Sequence, residues 1–289
     1  MELHRVETAD GWILDGALWP ATTAPCAPLD AFLLIHGTGS NFYASGVLET
    51  FARQAVAGGT SVLRINTRGH DGLCTIPTRQ GSQPGGATHE RIHDCVHDLT
   101  AWVDWLQSQG FRRVILVGHS MGGVKAVLSQ AAAPHTAVAG IVGISPPRFS
   151  HARLLNHPRG MAFREEFNRA RQFVDRGQPE QLLPVTQPLP FLATAAGYVE
   201  KYGPEDRYDY VPKLAQLPCP TLLILGGQTL QTSPAFGGLD TDIAAIAATC
   251  PNVQYQIVDG ANINYAGCDH EPFLRTKNWW QTILPKTPN

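Results

Sequence analysis

Gly118-His119-Ser120-Met121-Gly122 stands directly behind the apolar run Val114-Ile115-Leu116-Val117, and Ala126, Val127 and Leu128 follow on a helical apolar pattern. A serine framed by two glycines, entered from a strand and left by a helix, reads as a nucleophile elbow. The glycines answer a steric demand, because Cβ atoms beside so tight a turn would strike the neighbouring strand and helix. Ser120 itself is expected in a strained backbone region that lifts its hydroxyl above the sheet.

Outward from the elbow, strand and helix signals alternate. Upstream, Leu3–Thr8 and Trp12–Trp19 read as a hairpin turned at Asp10-Gly11, and Phe32–Ile35 and Ser61–Ile65 as short, fully buried strands. Val47–Ala57 has a helical pattern, and Thr67–Ala87, rich in Gly, Pro and Thr, reads as a long loop. Ile92, Val96, Leu99, Val103 and Leu106 recur at helical spacing and predict a helix over His89–Gln109. Downstream, strands are predicted at Gly140–Ile144, Thr221–Leu225 and Val253–Val258, with helices at Thr241–Ala248 and Glu271–Ile283. Between Pro146 and Pro218 the rhythm breaks into helix-like pieces, Met161–Arg176 and Leu192–Tyr202, separated by prolines. The expectation is an α/β fold: a doubly wound, mostly parallel sheet formed by residues 1–146 and 219–289, with a helical cap inserted at 147–218.

Composition narrows the class. The chain has 289 residues, 43% apolar and 16% charged, with a formal net charge of −2, which suits one globular unit and speaks against nucleic-acid or anionic-membrane partners. No apolar run reaches the length of a bilayer span, and the first residues lack a signal peptide's apolar segment. Cys26, Cys74, Cys95, Cys219, Cys250 and Cys268 are scattered without a C-x-x-C pair, so they read as free thiols of a reducing, cytoplasmic compartment. No metal or cofactor is implied, and nothing in the sequence indicates a homo-oligomer.

The residues resemble the α/β-hydrolase fold family along nearly the whole chain. Three landmarks in order carry the resemblance: His36-Gly37-Thr38 after the third strand, Asn66-Thr67-Arg68-Gly69-His70-Asp71 after the fourth, and the elbow. The resemblance implies that Ser120 is the nucleophile. It further implies that the backbone N–H groups of Thr38 and Met121 form an oxyanion hole.

Two positions depart from that family's pattern. The acid expected after the strand Thr221–Leu225 is replaced in Gly226-Gly227-Gln228-Thr229, where Thr229 takes its place. The histidine expected after the last strand is replaced in Gly260-Ala261-Asn262-Ile263, where Ile263 takes its place. A serine without a base in hydrogen-bond reach is a poor nucleophile. Relocated partners have candidates: Asp240 and Asp242 as acids, His270 as base, with His151, His157, His36 and His119 as further imidazoles. Each of these has an ordinary structural role as its alternative.

Gly37, Asn41, Tyr43, His119, Gln228, Thr229, Ile263 and Asn264 are the candidate lining of a pocket for a small-molecule substrate. Tyr198, Tyr202, Tyr208 and Tyr210 either close over it or pack within the cap. His89-Glu90-Arg91-Ile92-His93 matches H-E-x-x-H, with His97 one turn further, but its histidines flank an apolar stripe and read as a solvent-edge row. Three readings stay open. One is an enzyme that keeps the oxyanion hole but performs cyclisation, elimination, decarboxylation or isomerisation of a carbonyl compound. The second is an ester, thioester or lactone hydrolase with relocated partners, and the third a non-catalytic ligand-binding protein.

Overall fold

The computed structural model describes residues 1–21 and 29–283. Eight strands form the main sheet: β1 Glu2–Glu7, β2 Ile13–Trp19, β3 Ala31–Ile35, β4 Ser61–Ile65, β5 Val114–His119, β6 Val138–Ile144, β7 Thr221–Gly226 and β8 Val253–Val258. Their spatial order is β1-β2-β4-β3-β5-β6-β7-β8. β1 pairs antiparallel with β2 and β2 with β4; every other neighbouring pair is parallel. The mostly parallel, doubly wound sheet expected from the alternation is therefore present.

Strand periodicity divides the core into two layers. In β3, Ala31, Leu33 and Ile35 pack with Leu99 and Trp102 of α2 (Cys95–Ser108), Val124 and Val127 of α3 (Met121–Ala132) and Ile243 of a later helix. Phe32 and Leu34 face the opposite way, against Val47 and Phe51 of α1 (Val47–Ala57) and the Trp279–Trp280 pair of the last helix, Glu271–Ile283. Both strand faces are covered, which is why these strands read as unbroken apolar runs.

Three expectations need correction. Thr67–Ala87 is not all loop: Cys74–Thr78 and Gly81–Gly85 form an antiparallel hairpin. The helix predicted from His89 begins later, with a 3-10 turn at Ile92–Asp94 followed by α2 from Cys95. His89 and Glu90 therefore precede the helix, and the H-E-x-x-H spacing has no helical face to align it. The segment between β6 and β7 holds two α-helices, His151–Asn156 and Gly160–Asp175, then a hairpin of Leu182–Val185 with Phe191–Thr194, then a third helix, Ala195–Tyr202. The strand Phe191–Thr194 takes the first residues of the predicted Leu192–Tyr202 helix.

Cys26 lies outside the described residues; the other five cysteines are free thiols. Among the described residues, no helix is long and apolar enough to cross a membrane.

Candidate active site

β3 and β5 end side by side, and their two turns build one corner of the site. Ser120 follows β5 with φ 52° and ψ −121°, the strained conformation expected of an elbow. The flanking glycines are sterically required. A Cβ on Gly118 would lie 2.1 Å from the Gly122 carbonyl carbon, and one on Gly122 would lie 2.1 Å from the Ile35 oxygen. Gly37 meets the same restriction from the other turn, since a Cβ there would lie 3.2 Å from Ser120 Cβ and 3.7 Å from its Oγ. The His-Gly turn is thus pressed against the serine. Met121 opens α3, so its N–H has no acceptor inside the helix and stands free at the positive end of the helix dipole.

A buried polar chain holds the turn from behind. His36 Nδ1 donates to the Gly37 carbonyl at 2.8 Å, and its Nε2 accepts from the Thr67 amide at 3.1 Å. The Thr67 hydroxyl also lies 3.1 Å from Nε2 and accepts from Lys125 Nζ at 2.8 Å. Lys125, wholly buried on α3, is ion-paired with buried Glu90. Burial, helped by the Lys125 charge, holds the His36 imidazole down at a pKa of about 3, so it is neutral and keeps this tautomer. Burial alone would raise the Glu90 carboxyl, but the Lys125 and Lys201 charges carry it below its ordinary value. In the sequence Glu90 stands within the H-E-x-x-H match, whose histidines read as a solvent-edge row; its role as buried counter-ion to a lysine 35 positions away had no local signal.

β7 and β8 build the opposite corner. A Cβ on Gly226 would meet the Ala261 and Asn262 oxygens at 2.6 and 3.1 Å and the Thr229 hydroxyl at 3.2 Å, so the two strand-end loops converge. The β8 loop also reaches the elbow: His119 Nε2 donates to the Ile263 carbonyl at 2.8 Å. Burial lowers the His119 pKa, and Nδ1 has no partner among the described residues. Ser145, left-handed at φ 44°, hydrogen-bonds to Tyr265 at 3.0 Å and accepts from Gly226 N at 3.2 Å, and Tyr265 donates to Ile224 O at 3.0 Å. Hydroxyls and amides stitch this corner.

A cavity of about 480 Å³ opens between the corners, lined by Gly37, Thr38, Asn41, His119, Ser120, Ile263 and Asn264 among others. Of the residues read from sequence, these seven meet there. His119 is the imidazole on its wall. Asn41 donates to Asp71 at 2.6 Å, while its Oδ1 is buried without a partner. Tyr43 leans out to Asp71, Gln228 is exposed and Thr229 is buried behind the wall.

The relocated candidates lie elsewhere. Asp242 pairs with Arg148 and Arg153, Asp240 sits at the start of the helix Leu239–Ala247, and His270 pairs with Glu271 at 3.6 Å on the last helix. His151 is packed between Phe163 and Phe167, and His157 accepts from the Arg159 amide. Tyr198, Tyr202 and Tyr210 are core residues, and none of the four tyrosines lines the cavity. Sequence reading missed the stretch Ala44–Leu48 leading into α1, Arg64 of β4, and Leu189 at the tip of the inserted hairpin, all of which line the cavity.

The model of the alpha/beta hydrolase family matches residues 32–278. Solved structures share the fold at low identity. The DcsB complex with its substrate analogue aligns at TM-score 0.69 and 14% identity over 98% of this chain and 99% of that one. Ferulic-acid-bound Est1E from Butyrivibrio proteoclasticus aligns at 0.66 and 16% over 96% and 98%. A soluble variant of monoglyceride lipase from Saccharomyces cerevisiae, in complex with a substrate analogue, aligns at 0.63 and 14% over 96% and 92%. No curated protein sequence matches significantly.

Proposed function

The chain belongs to the alpha/beta hydrolase family, and from that premise we propose that it is an enzyme of carbonyl chemistry that works through its oxyanion hole without a Ser-His-Asp relay. Its substrate is a small or medium carbonyl compound, and its reaction a cyclisation, elimination or isomerisation. Residues 147–218 act as a cap, from which Leu189 reaches the cavity.

The carrying observation is the contact between His119 and the Ile263 carbonyl. It places the β8 loop against the elbow, where the family's base would stand, and the side chain at that position is aliphatic. The amides of Thr38 and Met121 then stabilise an enolate-like oxygen as charge develops on it, a contribution that is large in a water-excluded site. Ser120 orients that oxygen by hydrogen bonding. His119, neutral and with Nδ1 free of a partner among the described residues, is the group that takes or returns a proton.

A fluorophosphonate probe tests this. Ser120 is expected to resist stoichiometric labelling. The protein should catalyse deuterium exchange α to the carbonyl of a bound ketone or lactone, followed by NMR. Ser120→Ala should keep most of that exchange, and His119→Ala should lose about a hundredfold. Rapid labelling of Ser120, lost in His119→Ala, would instead establish the hydrolytic reading, with His119 as an unconventional base. That second reading draws support from His119 and Ser120 sharing one wall.

A further inference from the structure

Arg64 is out of place in a core strand. It lies in β4 between Leu63 and Ile65, which feed the α2–α3 layer, and so shares the α1 face with Val62. It is 5% exposed, its guanidinium rests 5.6 Å from the Trp19 ring centroid, and one N–H donates to the Ala44 carbonyl. No carboxylate lies within 4 Å of it among the described residues. Glu49, whose field reaches it, is bonded to Arg53 at 2.6 Å. A buried charge without a counter-ion is costly.

Arg64 nevertheless opens onto the cavity that holds Ser120. The same wall carries Gly46, Val47 and Leu48, the N-terminus of the eleven-residue α1, which no side chain caps. The first N–H groups of a helix point outward without intrahelical acceptors, at the positive end of its dipole. The cavity lining includes no aspartate or glutamate, and its one ionisable side chain besides Arg64 is that of His119, whose pKa burial lowers. A guanidinium fork and free amides, facing one chamber from two elements, match a carboxylate in shape and charge.

We propose that the cavity binds a substrate bearing a carboxylate, held by Arg64 and the first turn of α1, at a distance from the carbonyl group presented to Ser120. The inference rests on reading this cavity as the substrate site. Its test is binding, so it stands apart from whether Ser120 is labelled or the carbonyl turns over.

Calorimetric titration with glutarate and with its neutral counterpart glutaramide reads the preference directly. The intact protein should bind glutarate at least tenfold more tightly. Arg64→Met should lose that preference, and Arg64→Lys should keep part of it, since a lysine offers the charge without the fork. Arg64 also packs on Trp19, so Ser45→Glu provides a variant that leaves Arg64 in place. A carboxylate at this exposed wall position should weaken glutarate by about tenfold and glutaramide hardly at all. Equal binding of the two ligands by the intact protein would overturn the proposal. So would a preference for glutarate that survives in folded Arg64→Met or in Ser45→Glu.

Discussion

The corner built by β3 and β5 and the corner built by β7 and β8 face each other across one cavity, yet they differ in what the chain supplies. The first is made of backbone: strained Ser120, two glycines with no room for a Cβ and a third with little, and free amides at a helix start. The second keeps the backbone convergence, with Gly226, Thr229 and the Ala261–Asn262 carbonyls in contact, but its side chains are a threonine and an isoleucine. Sterics and proton transfer are separable demands. A turn can stay fixed by the packing of two strands and a helix while the groups that shuttle protons are exchanged, because nothing in the packing depends on their pKa.

That contrast breaks first at the support of the β3–β5 corner. Lys125→Met leaves Glu90 buried beside Lys201 without its direct partner and frees the Thr67 hydroxyl. Removing one member of a buried pair costs about 3–5 kcal/mol, read as a fall in urea midpoint. Lys125→Met combined with Glu90→Leu should recover much of it. If Lys125→Met alone is as stable as the parent, the corner does not lean on this chain. Gly122→Ala comes next. Its Cβ would collide with the Ile35 oxygen, a backbone atom that cannot rotate away. A loss of about 3 kcal/mol is expected; the equivalent change at exposed Gly237, which meets nothing within 4 Å, should cost far less.

The same division explains what could be read from the sequence. β4, β8 and the last helix fall on their predicted residues, and β3 and β7 within one, because apolar runs and helical stripes are local signals. The elbow was legible for the same reason: five consecutive residues state a steric requirement. The hairpin at 74–85 was hidden by a composition that loops share with turn-rich strands. The late start of α2 was hidden because Glu90 is drawn to Lys125 across the fold, overriding the register of the apolar stripe. Thr229 and Ile263 could be identified by position, but the approach of the Ile263 loop to the elbow needed the His119 contact. Arg64 looked like any strand arginine, since the absence of a counter-ion is a property of space and not of sequence.

Refitting the second corner sharpens the comparison. If its backbone still has the geometry of a relay, Thr229→Asp with Ile263→His should raise hydrolysis of p-nitrophenyl acetate by roughly a hundredfold, a fraction of what a complete relay contributes. It should also make Ser120 label with a fluorophosphonate. Thr229→Asp alone should do neither, since a carboxylate without an imidazole orients nothing. No gain from the pair, in a folded protein, would mean that the β7–β8 loops have lost the geometry along with the residues.

The smallest effect concerns how the first corner responds to acid. His36 has a folded pKa of about 3, below the ordinary value of about 6.5. Between those values the unfolded chain binds a proton that the native protein refuses. The stability tied to neutral His36 is therefore fully present above about pH 6.5 and is lost as pH falls toward 3. His119 is shifted in the same direction and adds to the slope. The lowered Glu90 carboxyl contributes only below its own ordinary range, and buried Asp98, raised by burial, is common to the parent and a His36 variant, so the difference between the two between pH 6 and 5 reads His36. His36→Asn keeps a donor for the Gly37 carbonyl but cannot titrate. Across that window its urea-unfolding free energy should fall less steeply than the parent's, by about 1.4 kcal/mol per pH unit. Parallel curves would mean that His36 is not held neutral against the Thr67 amide. The His36-Gly37 turn would then rest on its glycine alone.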